Sequence, residues 1–284
     1  MMSDHSTGML KILERLLVWL VVVAWAVSLA TGLASPVLAQ SDFPYDLQTG
    51  RELAITGTGA MFWGVGLTLD TRRPPLTTDE IARLDPSDVN RCDRSATTRW
   101  SPGADTASDI LAYSSMAAPA ALLLTDHGSR EPWTLTLMYA ETLLLNSGMV
   151  FFLKSLVSRT RPYAYNDDPR IPLEEKYTRF ARRSFPSGHT ANAFTAATFL
   201  SVVHQRLYPG SSANAWVWAG SLTVASATGI LRYAAGKHFP SDILVGAAIG
   251  TLTGWLVPEL HEVDPTRAED TPAGMPAFTI SFAF

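Results

Sequence analysis

Three clusters of basic, hydroxyl and histidine residues contain the side chains that phosphate chemistry requires. In chain order they are Lys154 with Arg161 and Pro162, then Pro186-Ser187-Gly188-His189, then Arg232 with His238 and Asp242. Cations neutralise phosphate oxygens, and histidines attack phosphorus or transfer protons near neutral pH. The clusters therefore predict an anion site that could do nucleophilic or acid–base chemistry.

The second cluster stands immediately before an apolar segment, where a helix is expected to begin. Free amides and the positive end of the helix dipole favour anions there, so Ser187, Gly188 and His189 could hold a phosphate group. A simpler interpretation is that Ser187 caps the helix and that His189 is incidental. The motif alone is compatible with both interpretations.

The first cluster is expected at the C-terminal end of a helix. Lys154 and Arg161 are seven positions apart, which is about two helical turns, so the spacing predicts that both project from one face. Pro162 is expected to end the helix and to fix Arg161 at the edge of the next loop. The alternative is that these cations only complement the helix dipole.

The third cluster spans the end of one apolar segment and the start of the next. Pro240 predicts the first turn of a helix, which places Asp242 where its carboxylate can reach back to His238. A carboxylate on one imidazole nitrogen fixes the tautomer and leaves the other nitrogen free to attack. The alternative is a loop histidine that lies beside an acidic residue by chance.

Six apolar segments, rich in alanine, leucine, glycine and threonine, must position these clusters. They cover residues 53–69, 110–125, 133–156, 190–203, 215–231 and 243–257. Each is longer than a usual strand, so we predict an all-α bundle. Two long loops connect them, a polar one over residues 70–108 and a charged one over 161–184. Long loops in a compact helical chain are often functional.

In order and spacing, the three clusters resemble the motifs of the type 2 phosphatidic acid phosphatase (PAP2) family. That family shares its fold with bacterial class A acid phosphatases and vanadium haloperoxidases. The resemblance covers residues 110–257, with one departure: Leu231 precedes Arg232 where the family usually has serine. This departure removes a small hydroxyl and no charged group. The resemblance implies a PAP2-like helical bundle, which we expect to be membrane-embedded.

The resemblance also implies roles for the cluster residues. His238 would be the nucleophile, Asp242 would orient it, and His189 would be the general acid and base. The implied phosphate ligands are Lys154, Arg161, Ser187, Gly188 and Arg232. No group of carboxylates with metal-ligand spacing accompanies them, so we expect neither a metal ion nor a cofactor.

Chemistry and resemblance together predict a metal-independent phosphatase that acts through a phosphohistidine. The expected substrate is a phosphate monoester or diphosphate, in particular one carried by a lipid. The alternatives are a vanadium-dependent haloperoxidase, a soluble exported non-specific acid phosphatase, and a non-catalytic phospholipid-binding protein. Burying so many cations and histidines without use would be costly, which argues against the last. A net charge of −4 offers no basic excess for nucleic acid, and no obligatory protein partner is evident.

The chain is expected to have four parts. Residues 1–39 have the basic start, apolar run and small-residue cleavage pattern of a secretory signal peptide, with an uncleaved anchor as the alternative. Residues 40–108 form an extension with one apolar helix and a polar loop, 109–260 the catalytic bundle, and 261–284 an aromatic tail that packs on its side. We predict an envelope protein, membrane-embedded with an outward-facing site, or alternatively a soluble periplasmic one.

For several other polar residues, the sequence predicts an environment and no catalytic role. Glu141 and Asn146, inside an apolar segment, are expected to be buried bundle contacts. The arginines before the second cluster are expected to form a solvated face or to meet an anionic headgroup; they are Arg179, Arg182 and Arg183. Three histidines fall in or near linkers with no spacing that assigns a role, namely His127, His204 and His261.

Overall fold

The computed structural model describes residues 43–263, which form a bundle of six long helices. They are α1 (Thr49–Thr71), α2 (Pro102–Ala117), α3 (Pro132–Val157), α4 (Gly188–Leu207), α5 (Ala213–Ala234) and α6 (Pro240–His261). Short α-helices lie at Thr78–Ala82 and Leu173–Lys176, and 3-10 turns at Pro86–Asp88, Arg94–Thr98, Ala118–Leu124, Gly128–Arg130, Pro162–Tyr165 and Arg179–Arg182. Within this range the β pairing is one isolated bridge, between Tyr45 and Glu262. The predicted signal peptide and residues 264–284 lie outside the described residues.

Three helical segments of the described range are long and apolar enough to cross a membrane. They are Pro102–Leu124, Pro132–Tyr165 and Pro240–His261. Large apolar side chains also face outward around the bundle, among them Leu53, Ile110, Trp216 and Leu244. Such a surface is unfavourable in water and well solvated by lipid tails. The predicted all-α, membrane-embedded bundle is confirmed for the residues that the structure describes.

The second long helix begins earlier than the sequence analysis expected. The stretch 70–108 is not a continuous loop, because α2 starts at Pro102. The Ser101 hydroxyl accepts a hydrogen bond from the Ala104 amide, and a proline at the first helical position is already in helical conformation. This Ser-Pro signal places Asp105 and Ser108 on a helix, with consequences for the site described below.

The helices α4 and α6 pack closely along a stripe of glycines. The stripe consists of Gly246, Gly250 and Gly254 on α6, which face Ser187, Ala191 and Thr195 of α4 in the same order. A methyl group on Gly250 would lie 2.2 Å from the carbonyl oxygen of Ala191, so only glycine fits there. Small residues at every fourth position allow helix backbones to touch, as in membrane helix pairs. The stripe sets α4 and α6 parallel, with their N-terminal ends side by side.

The helices α1 and α3 also pack in parallel through glycines. A methyl group on Gly148 of α3 would lie 2.5 Å from the carbonyl oxygen of Gly59 on α1. Asn146 then links α3 to α4, since its Nδ2 donates a hydrogen bond of 2.8 Å to Oδ1 of Asn192. Asn146 is fully buried, as the sequence analysis expected.

The glycine stripe predicts a sharp difference between two substitutions of the same kind. Gly250→Ala should lower the free energy of unfolding by about 1–3 kcal/mol, because its methyl group must push α4 and α6 apart. Gly220→Ala is the matched control, since Gly220 lies in α5 with no heavy atom within 4 Å of the new methyl group. It should leave stability unchanged or raise it by up to about 1 kcal/mol. Apparent melting temperatures of the detergent-solubilised variants measure both; equal losses would contradict the close packing.

Candidate active site

The three clusters meet at one end of the bundle, where α3 ends and α4 and α6 begin. The Ser187 amide donates a hydrogen bond of 2.9 Å to the carbonyl oxygen of Asp242, which joins the starts of α4 and α6. The Ser184 amide donates one of 2.9 Å to the carbonyl oxygen of Arg159, which ties the chain after α3 to the approach to α4. Backbone hydrogen bonds thus bring together clusters that are far apart in the sequence.

The chain after α3 takes a different path from the expected one. The helix stops before Ser158, which adopts a left-handed φ of 52°, and Pro162 begins a separate 3-10 turn. Lys154 and Arg161 therefore do not share a helical face, and the prediction from their spacing is wrong. Arg161 is instead held by its amide, which donates 2.8 Å to the carbonyl oxygen of Ala181. Its Nε atom is buried without a hydrogen-bond partner.

Lys154 lies beneath the Pro-Ser-Gly-His turn. Its Nζ donates hydrogen bonds to the carbonyl oxygens of Arg183 at 3.1 Å and Pro186 at 2.5 Å. A methyl group on Gly188 would lie 3.6 Å from the Lys154 Cε, so the lysine stem packs directly against the start of α4. The lysine side chain therefore holds the turn from below through these two hydrogen bonds.

Ser187 occupies the N-cap position of α4 without capping it through its side chain. Its buried hydroxyl shares a hydrogen bond of 2.8 Å with the hydroxyl of Thr190. The simple capping interpretation is therefore not what the structure shows. The amides at the start of α4 still point toward the end of the bundle where the clusters meet, and phosphate binding by Ser187 and Gly188 stays a prediction.

His238 lies at the centre of this end of the bundle with only 1% of its surface exposed. Its Nδ1 lies 3.6 Å from Oδ2 of Asp242, which is close enough for an ionic interaction and too long for the hydrogen bond that the sequence analysis expected. Burial lowers the pKa of His238 well below its ordinary value, and the positive charges of Arg161, Lys154 and Arg232 lower it further. The imidazole is therefore neutral and retains a lone pair.

Asp242 is occupied by partners other than His238. Its Oδ1 accepts a hydrogen bond of 2.7 Å from Arg159, and its Oδ2 accepts from the Ser184 hydroxyl at 2.5 Å and the Phe239 amide at 2.9 Å. The competing donors explain the longer distance to His238, because each takes an oxygen lone pair that the imidazole would otherwise use. Asp242 thus fixes the loop before α6 as much as it orients His238.

Arg159 and Asp93 are site residues that the sequence analysis missed. Arg159 donates to Asp242 and, at 2.8 Å, to Oδ2 of Asp93, and its guanidinium lies 3.9 Å from the ring centre of Phe239. Burial alone would raise the pKa of Asp93, but hydrogen bonds from Arg159 and Ser241 outweigh it and hold that pKa below its ordinary value. Asp93 is therefore a buried carboxylate that secures Arg159 from the long loop before α2.

Two further carboxylates, on α2, contact the predicted catalytic and phosphate-binding residues. Asp109 Oδ1 lies 2.9 Å from His189 Nε2 and 3.2 Å from Arg232 Nη1. Asp105 Oδ1 lies 2.5 Å from the same Arg232 nitrogen, to which Ser108 is also hydrogen-bonded. Arg232, which is nearly buried, is thus neutralised by α2 in this structure. An arriving phosphate group must compete with Asp105 for the guanidinium.

A cavity of about 300 Å³ opens beside Asp105, the partner of Arg232. It lies between the start of α2, the charged loop and the turn before α6, and its lining includes Trp100, Asp105, Arg170, Glu175 and Lys237. The Nζ atom of Lys237 bridges two acidic side chains of this lining, at 3.2 Å from Oδ2 of Asp105 and 2.8 Å from Oε2 of Glu175. The cavity therefore has a polar, partly aromatic lining that includes Asp105, the partner of Arg232.

For two of the three arginines and for one histidine, the structure differs from what the sequence analysis expected. Arg182 pairs with Glu80 at 2.5 Å, and Arg183 forms a bidentate pair with Asp70 at the end of α1, so neither is a free solvated cation. His261 is not a linker residue, because it is fully buried in the last turn of α6. It belongs to a group with Glu52 and Glu141 whose ligand atoms lie within 4.8 Å of one another, the one such group among the described residues.

The fold and site define a helical bundle in which two histidines and three cations are gathered at one end, an arrangement suited to phosphate groups. The model of the PAP2 superfamily matches residues 135–264. These residues include all three clusters, and over this range the resemblance to the PAP2 family seen in the motifs is confirmed. Asp93, Asp105 and Asp109 lie outside the matched range.

Two curated relatives and one solved structure are similar to this chain. A lipid A 1-phosphatase of Porphyromonas gingivalis is 42% identical over 89 residues, 30% of this chain and 19% of that protein. A lipid A 4'-phosphatase of Bacteroides thetaiotaomicron is 32% identical over 127 residues, 43% of this chain and 51% of that protein. The alignments thus span about a fifth and about half of these relatives. The crystal structure of a transmembrane PAP2-type phosphatidylglycerolphosphate phosphatase from Bacillus subtilis gives a TM-score of 0.46 at 20% identity, covering 72% of this chain and 95% of that one.

Competition between Asp105 and phosphate predicts an unusual gain of function. Asp105→Asn should tighten orthovanadate binding by roughly tenfold, because it removes a negative charge beside the anion while Ser108 and Asp109 still hold Arg232. The dissociation constant can be measured from the vanadate dependence of the melting temperature. Asp126→Asn, at an exposed acid outside the site, is the control and should change nothing. Weaker binding in Asp105→Asn would show that Asp105 positions Arg232 rather than competes for it.

Proposed function

We propose that this protein is a phosphatase that hydrolyses a phosphate ester of a membrane lipid through a phosphohistidine at His238. The observation that supports this most strongly is the buried imidazole of His238, which lies beside Asp242 and among the basic side chains of the three clusters. A neutral imidazole can attack phosphorus, and the cations attract the phosphate oxygens and stabilise the charge of the transition state.

In the first step, Nε2 of His238 attacks phosphorus while the bond from phosphorus to the lipid oxygen breaks. Nδ1 faces Asp242, so Nε2 is the nitrogen left for attack. The imidazole becomes positively charged as the new bond forms, and the Asp242 carboxylate balances that charge at short range. His189 gives its proton to the departing oxygen, so that an alcohol and not an alkoxide leaves.

In the second step, His189 accepts a proton from a water molecule that attacks the phosphohistidine. The bond from phosphorus to His238 breaks, inorganic phosphate is released and both histidines return to their starting state. Burial and the charge of Arg232 lower the pKa of His189, and Asp109, 2.9 Å from His189 Nε2, opposes that shift and supports the protonated form that the first step needs. Asp109 thus acts through His189 as a positioning residue.

The site can neutralise phosphate without a metal ion, in our proposal, because its positive charges belong to side chains. The carboxylates that lie near it are paired with arginine, lysine or histidine and do not form an oxygen-rich cage of the kind that magnesium prefers. We therefore expect turnover in the presence of a chelator.

The proposed substrate is a lipid whose phosphate is attached to a polar headgroup such as a sugar. The cavity beside Arg232 offers the aromatic face of Trp100 and the charged groups of Arg170, Glu175 and Lys237, which suit a hydroxyl-rich headgroup. The relatives named lipid A 1-phosphatase and lipid A 4'-phosphatase support a phosphorylated lipid as the substrate. The apolar exterior of the bundle would place the acyl chains in the membrane.

We test this function with detergent-solubilised protein, EDTA, and a panel of lipid A phosphates, phosphatidate and p-nitrophenyl phosphate. Phosphate release should be fastest from a lipid A phosphate. His238→Ala should abolish turnover and the acid-quenched phosphoenzyme. His189→Ala should lose about 10²–10⁴-fold in rate with lipids but still form, and accumulate, phosphoenzyme from the nitrophenyl ester, whose leaving group needs no proton.

The control for these variants is His204→Ala, because His204 pairs with Asn214 near the end of α4, remote from the start of that helix. It should retain normal rates. Labelled phosphoenzyme in His238→Ala but not in His189→Ala would reverse the two roles. Turnover that required added magnesium would contradict the metal-independent mechanism.

We propose further that the site faces outward, since the predicted signal peptide would export the rest of the chain. The chain has a single cysteine, Cys92, which is exposed and adjacent in sequence to Asp93 of the site, so it reports the side on which the site lies. An impermeant maleimide should label Cys92 in right-side-out membrane vesicles and fail to do so in sealed inverted ones. Cys92→Ser controls for background. The opposite pattern would place the site in the cytoplasm.

A further inference from the structure

A second cluster of ionisable side chains lies at the opposite end of the bundle from the active site. Glu52 of α1, Glu141 of α3 and His261 of α6 meet there. His261 Nε2 lies 2.8 Å from Oε2 of Glu52 and 3.2 Å from Oε2 of Glu141. At a helical rise of 1.5 Å, His261 is about 28 Å along α6 from Asp242. No step of the proposed reaction uses this cluster.

The orientation of His261 directs one nitrogen at both carboxylates. Its Nδ1 lies 2.7 Å from the carbonyl oxygen of Val257, which can only accept, so Nδ1 must donate. In the neutral imidazole Nε2 then has a lone pair and no proton. A histidine that donates Nδ1–H to a backbone carbonyl and presents Nε2 to a shared point is the usual arrangement of a metal-ligating histidine.

Glu141 is the unsatisfied member of the cluster. It is 0% exposed, and neither of its carboxylate oxygens has a hydrogen-bond partner. Glu52 differs, because its Oε1 accepts hydrogen bonds from Arg51 and its Oε2 points at His261. A single proton on Nε2 could serve only one of the two carboxylates. Burying a carboxylate whose oxygens accept no hydrogen bond is strongly unfavourable, and a cation placed between the members of the cluster would offset that cost.

We infer that Glu52, Glu141 and His261 bind one divalent transition-metal ion, of which Zn²⁺ fits best. Metal bonds of about 2.0–2.2 Å at tetrahedral to octahedral angles put neighbouring ligand atoms roughly 2.9–3.5 Å apart. The distances from His261 Nε2 to Glu52 and Glu141, 2.8 and 3.2 Å, are close to this range. An imidazole combined with carboxylates suits zinc better than magnesium or calcium, which prefer oxygen alone. The two positive charges of the ion, together with that of Arg51, also balance the three negative charges of Glu141, Asp46 and Glu52.

The ion would join α1, α3 and α6 at this end of the bundle. The active site lies at the other end and does not hold them together here. The chain on both sides of the cluster is already paired, because the Asp46 amide donates to the His261 carbonyl at 3.0 Å and Tyr45 bridges to Glu262. Glu52 retains some exposure, with 15% of its side chain accessible, and provides the route by which the ion enters. The role of this site is structural, and its loss should not alter the chemistry at His238.

The test measures metal content and stability of the full chain, purified in detergent without chelator. Elemental analysis should find about one zinc per chain in the unmodified protein, and at least tenfold less in Glu141→Gln, which keeps the shape of the side chain. Glu259→Gln is the matched control, because Glu259 lies on the last turns of α6 and pairs with Arg206 instead. It should retain the metal.

Stability gives a second measurement that does not depend on purification history. After EDTA treatment and dialysis, excess Zn²⁺ should raise the melting temperature of the unmodified protein and of Glu259→Gln by about 5–10 °C, and that of Glu141→Gln by none. Glu141→Gln should keep phosphatase turnover below its melting temperature, which separates this inference from the proposed function. A metal-free unmodified protein that gains no stability from Zn²⁺, Mn²⁺ or Fe²⁺ would overturn it, as would equal metal content in Glu141→Gln.

Discussion

Asp242 is the residue on which the geometry of the active site depends. Its two carboxylate oxygens accept hydrogen bonds from Arg159, Ser184 and the Phe239 amide, and its carbonyl oxygen accepts from the Ser187 amide. Three chain segments that are distant in sequence, around Arg159, Ser184 and Asp242 itself, are joined through this one residue. A buried carboxyl group is stable only when its oxygens are satisfied, so the hydrogen bonds that satisfy Asp242 also assemble the site.

The cations of the site are stabilised from the N-terminal part of the chain. Arg159 depends on Asp93, and Arg232 on Asp105 and Asp109, all of which precede the region that matches the PAP2 superfamily. Guanidinium groups inside an apolar bundle need nearby negative charge while no phosphate is bound. The chain before the matched region therefore supplies the negative charges that stabilise these guanidinium groups while no phosphate is bound. In the proposed reaction, the substrate phosphate would replace part of that negative charge.

The sequence predicted the all-α bundle and the three motifs that the structure brings together, because apolar segments and short motifs are local signals. It did not predict the position of Arg161, since a left-handed Ser158 ends α3 early and no spacing rule reveals that. It also missed Asp93 and Asp109, which have no motif and become site residues only through contacts with distant segments. The Ser101-Pro102 start of α2 was a readable local signal. His261 looked like a linker residue because its partners lie on α1 and α3.

The glycine stripe between α4 and α6 has a consequence for how the sequence can change over time. His189 is at the start of α4 and His238 directly precedes α6, and the two backbones touch through Gly246, Gly250 and Gly254. Backbone contact, and not the fit of bulky side chains, therefore sets the separation of the two histidines. Mutations on the outer faces of the helices can accumulate, adapting the protein to thicker, thinner or differently composed bilayers, without moving either histidine. The stripe uncouples evolution of the lipid-facing surface from evolution of the chemistry.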